Sequence, residues 1–209
     1  MCGRFALGTR IEELAEAVDF PVMSEFEPSW NVSPTTWVPV IVDGKAPHFR
    51  AMQWGLKPEW ATNSKISPIN ARGETVAEKP MFRNAFKRRR VVVPADGWYE
   101  WKKGVQGKIP WYIYRQDGGT TWMAGIHESN SDGLETFSII TIPANQECSE
   151  VHHRMPAILS QDQIKDWLNG AELINEIPEG TFDFHSVSNE VNSNSAQGKQ
   201  LIQQLSTLF

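Results

Sequence analysis

Short β-type runs joined by glycine-containing turns fill the middle of the chain, and they restrict its fold more than any other feature. These runs cover residues 90–93, 111–114, 121–126 and 136–142. An earlier pair, 38–42 and 49–54, flanks Asp43-Gly44, which is a strong hairpin signal. Because consecutive strands joined by short turns pair antiparallel, the pattern predicts antiparallel sheet. We place the earlier hairpin at a sheet edge.

Helical patterns lie outside these runs. Capping-box spacing and periodicity predict helices at residues 10–18, after Pro80, after Ser160 and around 201–205. The first begins at a box formed by Thr9 and Glu12, and the third at a box formed by Ser160 and Gln163. Central strands with outer helices indicate an α+β fold, with mostly antiparallel sheets forming a pseudo-barrel and peripheral helices. We expect one domain over residues 1–209, since this length suffices for one substantial core.

Charge is unevenly distributed along the chain. The formal net charge of −5 argues against binding nucleic acid by bulk attraction. Residues 72–115 nevertheless hold eleven Lys or Arg against four Asp or Glu, a local net charge of +7. A basic segment in an acidic protein is either a site for an anionic ligand or a solvated surface, and composition alone favours the solvated surface.

Nothing in the sequence indicates export or a membrane. The first residues lack the apolar run of a signal peptide, and no stretch approaches the roughly 18 apolar residues of a membrane span. The two cysteines, Cys2 and Cys148, offer no disulfide framework, which fits a reducing compartment. We therefore expect a cytoplasmic protein.

Cys2 carries the chemistry that most narrows the function. A small second residue favours removal of the initiator methionine, which would leave a 1,2-aminothiol at the new terminus. An α-amine has a reference pKa of about 7.7–8.0 and a thiol about 8.5, so a fraction of each is nucleophilic at neutral pH. With an aldehyde, the amine forms a Schiff base and the thiolate closes a five-membered thiazolidine. The plain alternative is a small residue in an ordinary start sequence.

A carboxylate among aromatic residues is the second chemical signal. In residues 91–101 an apolar strand runs into a turn and then into Glu100, which Tyr99 and Trp101 flank. These neighbours predict partial desolvation of Glu100 and a raised pKa, useful for proton transfer. The alternative is a surface carboxylate on an alternating strand.

Two further segments combine polar groups. Residues 69–75 place Asn70, Arg72 and a carboxylate on a short polar loop. His152 and His153 lie side by side just before an apolar run. Adjacent residues of a strand point to opposite faces, so we expect only one of these histidines to serve a given site.

Several motifs occur together in one order. They are Met-Cys-Gly-Arg-Phe at the start, Asn31–Thr35, Trp54–Leu56, Asn70–Thr75, Pro94–Trp101 and His152–Pro156. In this combination the sequence resembles the SRAP family, the SOS-response-associated peptidase domains. The resemblance implies a pseudo-barrel α+β fold and a role in DNA damage repair, in which abasic sites in single-stranded DNA are captured as a thiazolidine crosslink. It also implies that Met1 is removed.

The resemblance also implies roles for individual residues. Cys2 resembles the nucleophile, and Asn70 the residue that holds the opened sugar and the new ring. Glu100 resembles the proton-transfer glutamate, and His152 the histidine that helps open the sugar and assists reversal. The residues resembling those around the DNA groove are Arg4, Asn31, Pro34, Trp60, Arg72 and Arg154. Two features depart from the family pattern: His153 stands where Asp is common, and the spacing from Trp60 to Asn70 exceeds that of some relatives.

Two other functions remain open. A thiol peptidase would use Cys2, His152 and Glu100 as nucleophile, base and orienting residue. A non-catalytic DNA-binding module, in which the amino terminus is incidental, would show salt-sensitive binding without covalent trapping. The resemblance itself agrees with a basic segment that tracks phosphates while the faces of Trp60 or Trp98 stack bases. Loss of Met1 by self-cleavage or through a general aminopeptidase is equally compatible with the sequence.

The remaining expectations concern ligands and assembly. The five histidines show neither an HExxH motif nor paired CxxC motifs, so we expect no metal and no cofactor. We expect a monomer that associates with the bacterial nucleoid when bound to DNA. About half of the nine tryptophans should serve core packing.

Overall fold

Short strands with few helices make up the regular structure. The computed structural model describes residues 2–23, 25–61, 66–105, 107–172 and 177–205. The strands are β1 (Phe5–Leu7), β2 (Ser29–Val32), β3 (Trp37–Val42), β4 (His48–Trp54), β5 (Asn70–Arg72), β6 (Arg90–Ala95), β7 (Gly97–Gly104), β8 (Gly107–Arg115), β9 (Thr121–Ser129), β10 (Glu135–Pro143), β11 (Arg154–Pro156), β12 (Ile158–Leu159) and β13 (Phe182–Ser186). The α-helices are α1 (Ile11–Val18), α2 (Arg83–Arg88), α3 (Gln146–Ser149) and α4 (Gln163–Leu168). Short 3-10 helices cover Glu59–Ala61, Asn189–Asn192 and Lys199–Ile202.

Five strands close a small barrel. Strand β10 pairs with β4 in parallel and with β9 antiparallel, and the antiparallel pairs β4–β3, β3–β6 and β6–β9 complete the ring. Further along its length, β10 pairs with β5 in parallel and with β11 antiparallel. The expected α+β pseudo-barrel of mostly antiparallel sheet is confirmed. The expected sheet edge is wrong, because β6 and β10 flank the β3–β4 hairpin within the barrel wall.

A second sheet has the strand order β13-β8-β7-β1-β2 and lies against the barrel. Strand β1 pairs with β7 through Phe5 and Trp98, which draws the amino-terminal residues alongside Glu100. Gly97 begins β7 where a side chain would collide with the Ile113 carbonyl oxygen of β8. Glycine is therefore needed here for β7 to lie between β8 and β1.

Buried aromatic side chains fill the core. Four of the nine tryptophans are buried, namely Trp54, Trp98, Trp122 and Trp167, as expected for about half of them. Trp54 stacks on Phe137 with ring centroids 6.4 Å apart, and Trp98 meets Phe182 edge-on at 5.2 Å. Truncating such a side chain to alanine typically costs about 3–5 kcal/mol. The expectation that Trp98 stacks bases is wrong, because its exposed fraction is 0%.

The predicted helices form with altered ends. Helix α1 begins at Ile11 as expected, but Thr9 does not cap it. Instead the Thr9 hydroxyl donates to a carboxylate oxygen of Asp96 at 2.6 Å, so a distant partner replaces the local capping box. The box before α4 forms one of its bonds, since the Ser160 N–H donates to the Gln163 side chain at 2.9 Å.

The other two helices are shorter than their patterns. The segment after Pro80 begins with turns, and α2 starts only at Arg83. The last pattern forms a single 3-10 turn that ends at Ile202, so Leu205 lies outside it. Among the described residues, no helix is both long and apolar enough to cross a membrane.

Candidate active site

Cys2 lies inside the protein, next to strand β1. Its exposed fraction is 0%, and it packs with the main hydrophobic core. The Sγ atom lies 3.9 Å from the Arg4 carbonyl oxygen, to which the thiol donates. Burial, followed by the negative charge of Glu100, raises the pKa of the Cys2 thiol far above its usual range. The sulfur is therefore held as the neutral thiol.

Asn70 contacts Cys2 directly. Strand β5 pairs in parallel with β10, and this pairing sets Asn70 opposite Ile139. The Asn70 Nδ2 atom donates to the Cys2 carbonyl oxygen at 2.7 Å. The other side-chain atom, Oδ1, is buried and has no hydrogen-bond partner within the described part of the chain. One end of the amide thus holds Cys2, while the other end keeps an acceptor for a further donor.

Glu100 projects from β7 into the same interior. Its exposed fraction is 2%, and burial raises its pKa to about 7. The predicted desolvation of this carboxyl group is confirmed, and the alternative of a surface carboxylate is excluded. A carboxyl group with this pKa exchanges protons readily near neutral pH.

His152 completes the group. Its Nδ1 atom lies 3.8 Å from Glu100 Oε1. The Nδ1 atom lies 3.0 Å from the Arg154 backbone nitrogen and 3.2 Å from the Arg154 carbonyl oxygen, so the main chain of Arg154 holds the ring. Burial also lowers the pKa of His152, so the neutral form dominates at pH 7. The structure thus brings Cys2, Asn70, Glu100 and His152 into one cluster.

The side chains of the two adjacent histidines contact each other. Residues 152 and 153 lie between α3 and β11, outside any strand. Their ring centroids are 4.3 Å apart, with the ring planes inclined by 31°. The expectation that they point to opposite sides is wrong, because it assumed an extended strand. The exposed His153 instead covers His152.

Arg4 and Asn31 form a structural clamp. Arg4 donates from Nη1 to Asn31 Oδ1 and from Nη2 to Asn194 Oδ1, both at 2.8 Å. The Asn31 amide nitrogen donates in turn to the carbonyl oxygens of Ser193 and Ala196. These bonds engage both polar side-chain atoms of Asn31 and both terminal nitrogens of the buried Arg4 within the protein. A DNA-binding role for this pair stays a prediction.

Arg72 and Arg154 lie in different environments. Arg72 is exposed at the end of β5, two positions after Asn70. Arg154 is buried and makes a two-pronged ion pair with Glu74, while its Nη2 also donates to the Thr141 carbonyl oxygen at 2.6 Å. The Arg154 contact with Glu74 holds the pKa of that carboxyl group at about 2. A DNA contact by either arginine stays a prediction.

Pro34 and Trp60 lie in surface segments. Pro34 is half-buried between β2 and β3, and Trp60 is 68% exposed in the first 3-10 helix. The Pro34 loop is connected to the cluster through Trp54, whose carbonyl oxygen accepts the Thr35 N–H at 2.8 Å. The Trp54 indole then donates to the carbonyl oxygen of Ile69, the residue before Asn70, at 2.9 Å. DNA contacts by Pro34 and Trp60 stay predictions.

Two participants were not foreseen from sequence. Glu74 lies 80 positions from its partner Arg154, and no local pattern signals such a pair. Lys108 on β8 exerts its positive charge on both Glu100 and His152. Only strand pairing reveals it, since β8 folds back along β7. Within the described residues, no three His, Cys, Asp or Glu converge as a metal site.

The protein combines a small β-barrel with a second sheet, and it buries a cysteine near the amino terminus beside Asn, Glu and His. This combination defines one class of domain. The family model described as SOS response associated peptidase (SRAP) matches residues 1–194, and the chain belongs to this family. The abasic site processing protein YoaM of Bacillus subtilis is 39% identical, covering 81% of this chain and 79% of its own. The abasic site processing protein YedK of Escherichia coli is 34% identical over 97% and 99%. A crystal structure from Bacteroides thetaiotaomicron, 27% identical, matches with a TM-score of 0.85 over 98% of this chain and 100% of that chain.

Proposed function

We propose that this protein captures abasic sites in single-stranded DNA by forming a thiazolidine through Cys2 after Met1 is removed. The observation that carries the proposal is the 2.7 Å bond from Asn70 to the Cys2 carbonyl, beside the Glu100 and His152 pair. Nucleophile, orienting amide and two proton-transfer groups thus converge on one residue. The names of the relatives, abasic site processing proteins, support the same substrate class.

The chemistry follows from the aminothiol. While Met1 is attached, the Cys2 nitrogen is a peptide amide and cannot form an imine. Once it is free, the amine attacks C1′ of the opened sugar, and the aldehyde oxygen leaves as water when the imine forms. The thiol sulfur then adds to C1′ and its proton passes to the imine nitrogen. The five-membered ring contains N, Cα, Cβ and Sγ of Cys2 together with C1′.

Glu100 and His152 divide the proton transfers. The sugar ring opens only if its oxygen receives a proton, and the carbinolamine loses water only if its hydroxyl does. Glu100, with a pKa of about 7, supplies and recovers these protons near neutrality. The neutral His152 accepts protons and assists reversal of the crosslink. Asn70 holds the sugar through Oδ1, the acceptor left without a partner among the described residues.

The substrate strand, the phosphate contacts and the place of the reaction form the rest of the proposal. A paired strand buries its sugar, so single-stranded DNA is the preferred substrate. The basic segment 72–115 attracts the phosphates despite a net charge of −5. We further propose that the protein acts as a monomer in the cytoplasm and associates with the nucleoid when crosslinked.

The test is a crosslinking assay on denaturing gels with a single-stranded abasic oligonucleotide. The mature protein should give one heat-stable adduct per chain. Protein bearing an amino-terminal tag should give none, and Cys2→Ser should give at most a slowly closing or labile product. Cys148→Ala is the matched control, because Cys148 is the other buried cysteine and should not matter. Efficient crosslinking by the tagged protein would refute the mechanism.

A thiol peptidase built on Cys2, His152 and Glu100 is the second candidate, and the family description favours testing it. A peptidase nucleophile needs a lowered thiol pKa, whereas burial raises that of Cys2. Incubation with peptide libraries should therefore give no repeated turnover. Cleavage of many peptides per protein molecule would favour the peptidase over the crosslinking reaction.

A further inference from the structure

A ridge of positive charge runs along one side of helix α2. We call Lys79, Arg83, Lys87 and Arg88 the α2 ridge, and all four are exposed. The Lys79 carbonyl oxygen accepts the N–H groups of Phe82 and Arg83, both at 2.9 Å, so a hydrogen-bonded turn joins Lys79 to the start of α2. Arg83 and Lys87 are four positions apart within α2, which places them on one helix face about 6 Å apart along the axis.

The α2 ridge is not needed to hold the helix in place. The opposite face buries Phe82 and Ala85 in the main core. The next two arginines of the basic run have internal partners instead. Arg89 pairs with Glu128 at 2.6 Å, and Arg90 packs over the Trp167 ring at 4.1 Å. Positions 87–90 are four consecutive cations. Lys87 and Arg88 therefore face solvent, whereas Arg89 and Arg90 make contacts within the protein.

No carboxylate neutralises the α2 ridge within the described part of the chain. The ion pairs found there include none of its four members. The sequence from 79 to 90 contains no Asp or Glu, and the acidic residue nearest to it in the sequence is Glu78. Four exposed cations close together in an acidic protein, with no ion-pair partner among the described residues, form a local site for polyanions.

The α2 ridge is joined to the candidate active site by a short series of turns. Arg72, exposed beside Asn70, accepts the Thr75 N–H at its carbonyl oxygen at 3.1 Å. Thr75 in turn accepts the Lys79 N–H at 3.0 Å. The segment from the cluster to the ridge is thus a continuous hydrogen-bonded path that begins and ends at exposed cations.

We propose that the α2 ridge binds successive phosphates of the DNA strand beyond the abasic nucleotide, which extends the footprint past the candidate active site. The proposal rests on the proposed function for the identity of the strand. Its contacts carry no base specificity, because lysine and arginine on phosphates recognise charge rather than sequence. The occupant is a nucleic acid strand rather than an anionic membrane, because the ridge continues from the residues around Asn70.

Equilibrium binding to lesion-free oligonucleotides tests the ridge independently of crosslinking. Fluorescence anisotropy would compare single strands of about 4 and about 16 nucleotides, a span typical of single-strand binding sites. The variant Lys79→Gln/Arg83→Gln/Lys87→Gln should bind the longer strand roughly 10- to 100-fold more weakly at low salt. Its log–log salt slope should fall in magnitude by about 2, since each single-strand phosphate contact contributes about 0.7. Binding of the shorter strand should not change.

A matched variant, Lys45→Gln/Lys165→Gln/Lys199→Gln, removes three exposed cations elsewhere and should leave both salt slopes unchanged. An unchanged slope in the ridge variant, or an equal slope loss in the matched variant, would overturn the proposal. Phosphatidylserine vesicles supply the competing source of phosphate. Vesicle binding that depends on the ridge, without such dependence for DNA, would also overturn it. Failure of the parent protein to crosslink abasic DNA would refute the proposed function and leave this binding test valid.

Discussion

The side-chain amide of Asn70 donates a 2.7 Å hydrogen bond to the backbone carbonyl oxygen of Cys2, although 68 positions separate the two residues. The bond fixes the main chain of the candidate nucleophile rather than its sulfur. It also orients the amide so that Oδ1 faces the buried interior. The position of Cys2 therefore depends on strand β5 as much as on its own neighbours.

Asn70→Ala should slow crosslinking. It removes both the bond to Cys2 and the acceptor proposed for the sugar, and a hydrogen bond of this kind is worth about 0.5–1.5 kcal/mol. We expect a rate decrease of about 10-fold or more in single-turnover assays, with DNA affinity nearly unchanged. Asn70→Asp keeps the acceptor but loses the donor, and it should also be slow. Wild-type rates for both variants would remove Asn70 from the mechanism.

Glu100 should make the protein less stable as pH rises. Burial raises the folded-state pKa to about 7, above the unfolded value near 4.3, so the folded state binds the extra proton. The associated stability is fully present below about pH 4 and is lost as pH increases through about 7. Glu100→Gln resembles the protonated form at every pH. At pH 8 the variant should gain stability on the order of 3 kcal/mol relative to the parent.

Urea unfolding at pH 5 and pH 8 measures this effect, with the same amino-terminal form for both proteins. The difference between parent and Glu100→Gln should be larger at pH 8. Equal differences at the two pH values would show that Glu100 does not titrate in this range. Crosslinking by Glu100→Gln should be slower by roughly 10²–10⁴-fold, because the general acid is lost.

The Arg154 and Glu74 ion pair should stabilise the protein more than an exposed pair does. Arg154 is buried, so Glu74→Gln leaves a desolvated charge without its partner. Because the Glu74 side chain is 46% exposed, solvent screening limits the loss to about 1–2 kcal/mol. The pKa of Glu74 is about 2, so this stability is present above pH 4.3 and is lost as pH falls towards 2.

Glu12→Gln is the control for this prediction. Its partner Arg10 is bound at 3.2 Å, and both side chains are about two-thirds exposed. Exposed pairs contribute roughly 0–1 kcal/mol, so unfolding by urea at pH 7 should hardly change. Equal losses in Glu74→Gln and Glu12→Gln would mean that burial of Arg154 does not strengthen its pair.

The sequence was sufficient where local patterns decide structure. The β-type runs predicted six of the barrel and sheet strands, and the hydrophobic face of α1 predicted its extent. Two aromatic neighbours were enough to predict the buried Glu100. The motifs quoted from the sequence also contain all four residues of the cluster, Cys2, Asn70, Glu100 and His152.

The remaining features depend on partners distant in sequence. The Thr9 side chain bonds to Asp96, which is 87 positions away, instead of forming the predicted capping box. Trp98 is enclosed once β13 brings Phe182 against it, which periodicity within one strand does not reveal. The barrel closes through parallel pairing of β10 with β4, a relationship that no turn signal encodes.

The close contact between the His152 and His153 rings predicts how the crosslinking rate depends on pH. A positive charge on His153 disfavours one on His152, because the ring centroids are 4.3 Å apart. His153→Asp places a carboxylate there and should raise the pKa of His152. If neutral His152 is the proton acceptor, the acid limb of the crosslinking rate should move to higher pH. Burial keeps the parent's His152 pKa low, so the parent should retain its rate at lower pH.

Glu100 titrates in the same range, and Lys108 and Arg154 also face this region, so rate profiles alone do not isolate His152. NMR titration of the His152 ring from about pH 5 to 9 separates it from the carboxyl group. His48→Asp provides the control, because it introduces the same charge change at a half-buried histidine at the start of β4. It should leave the His152 midpoint unchanged. An identical midpoint in the parent and His153→Asp would mean that the stacked ring has no electrostatic influence on His152.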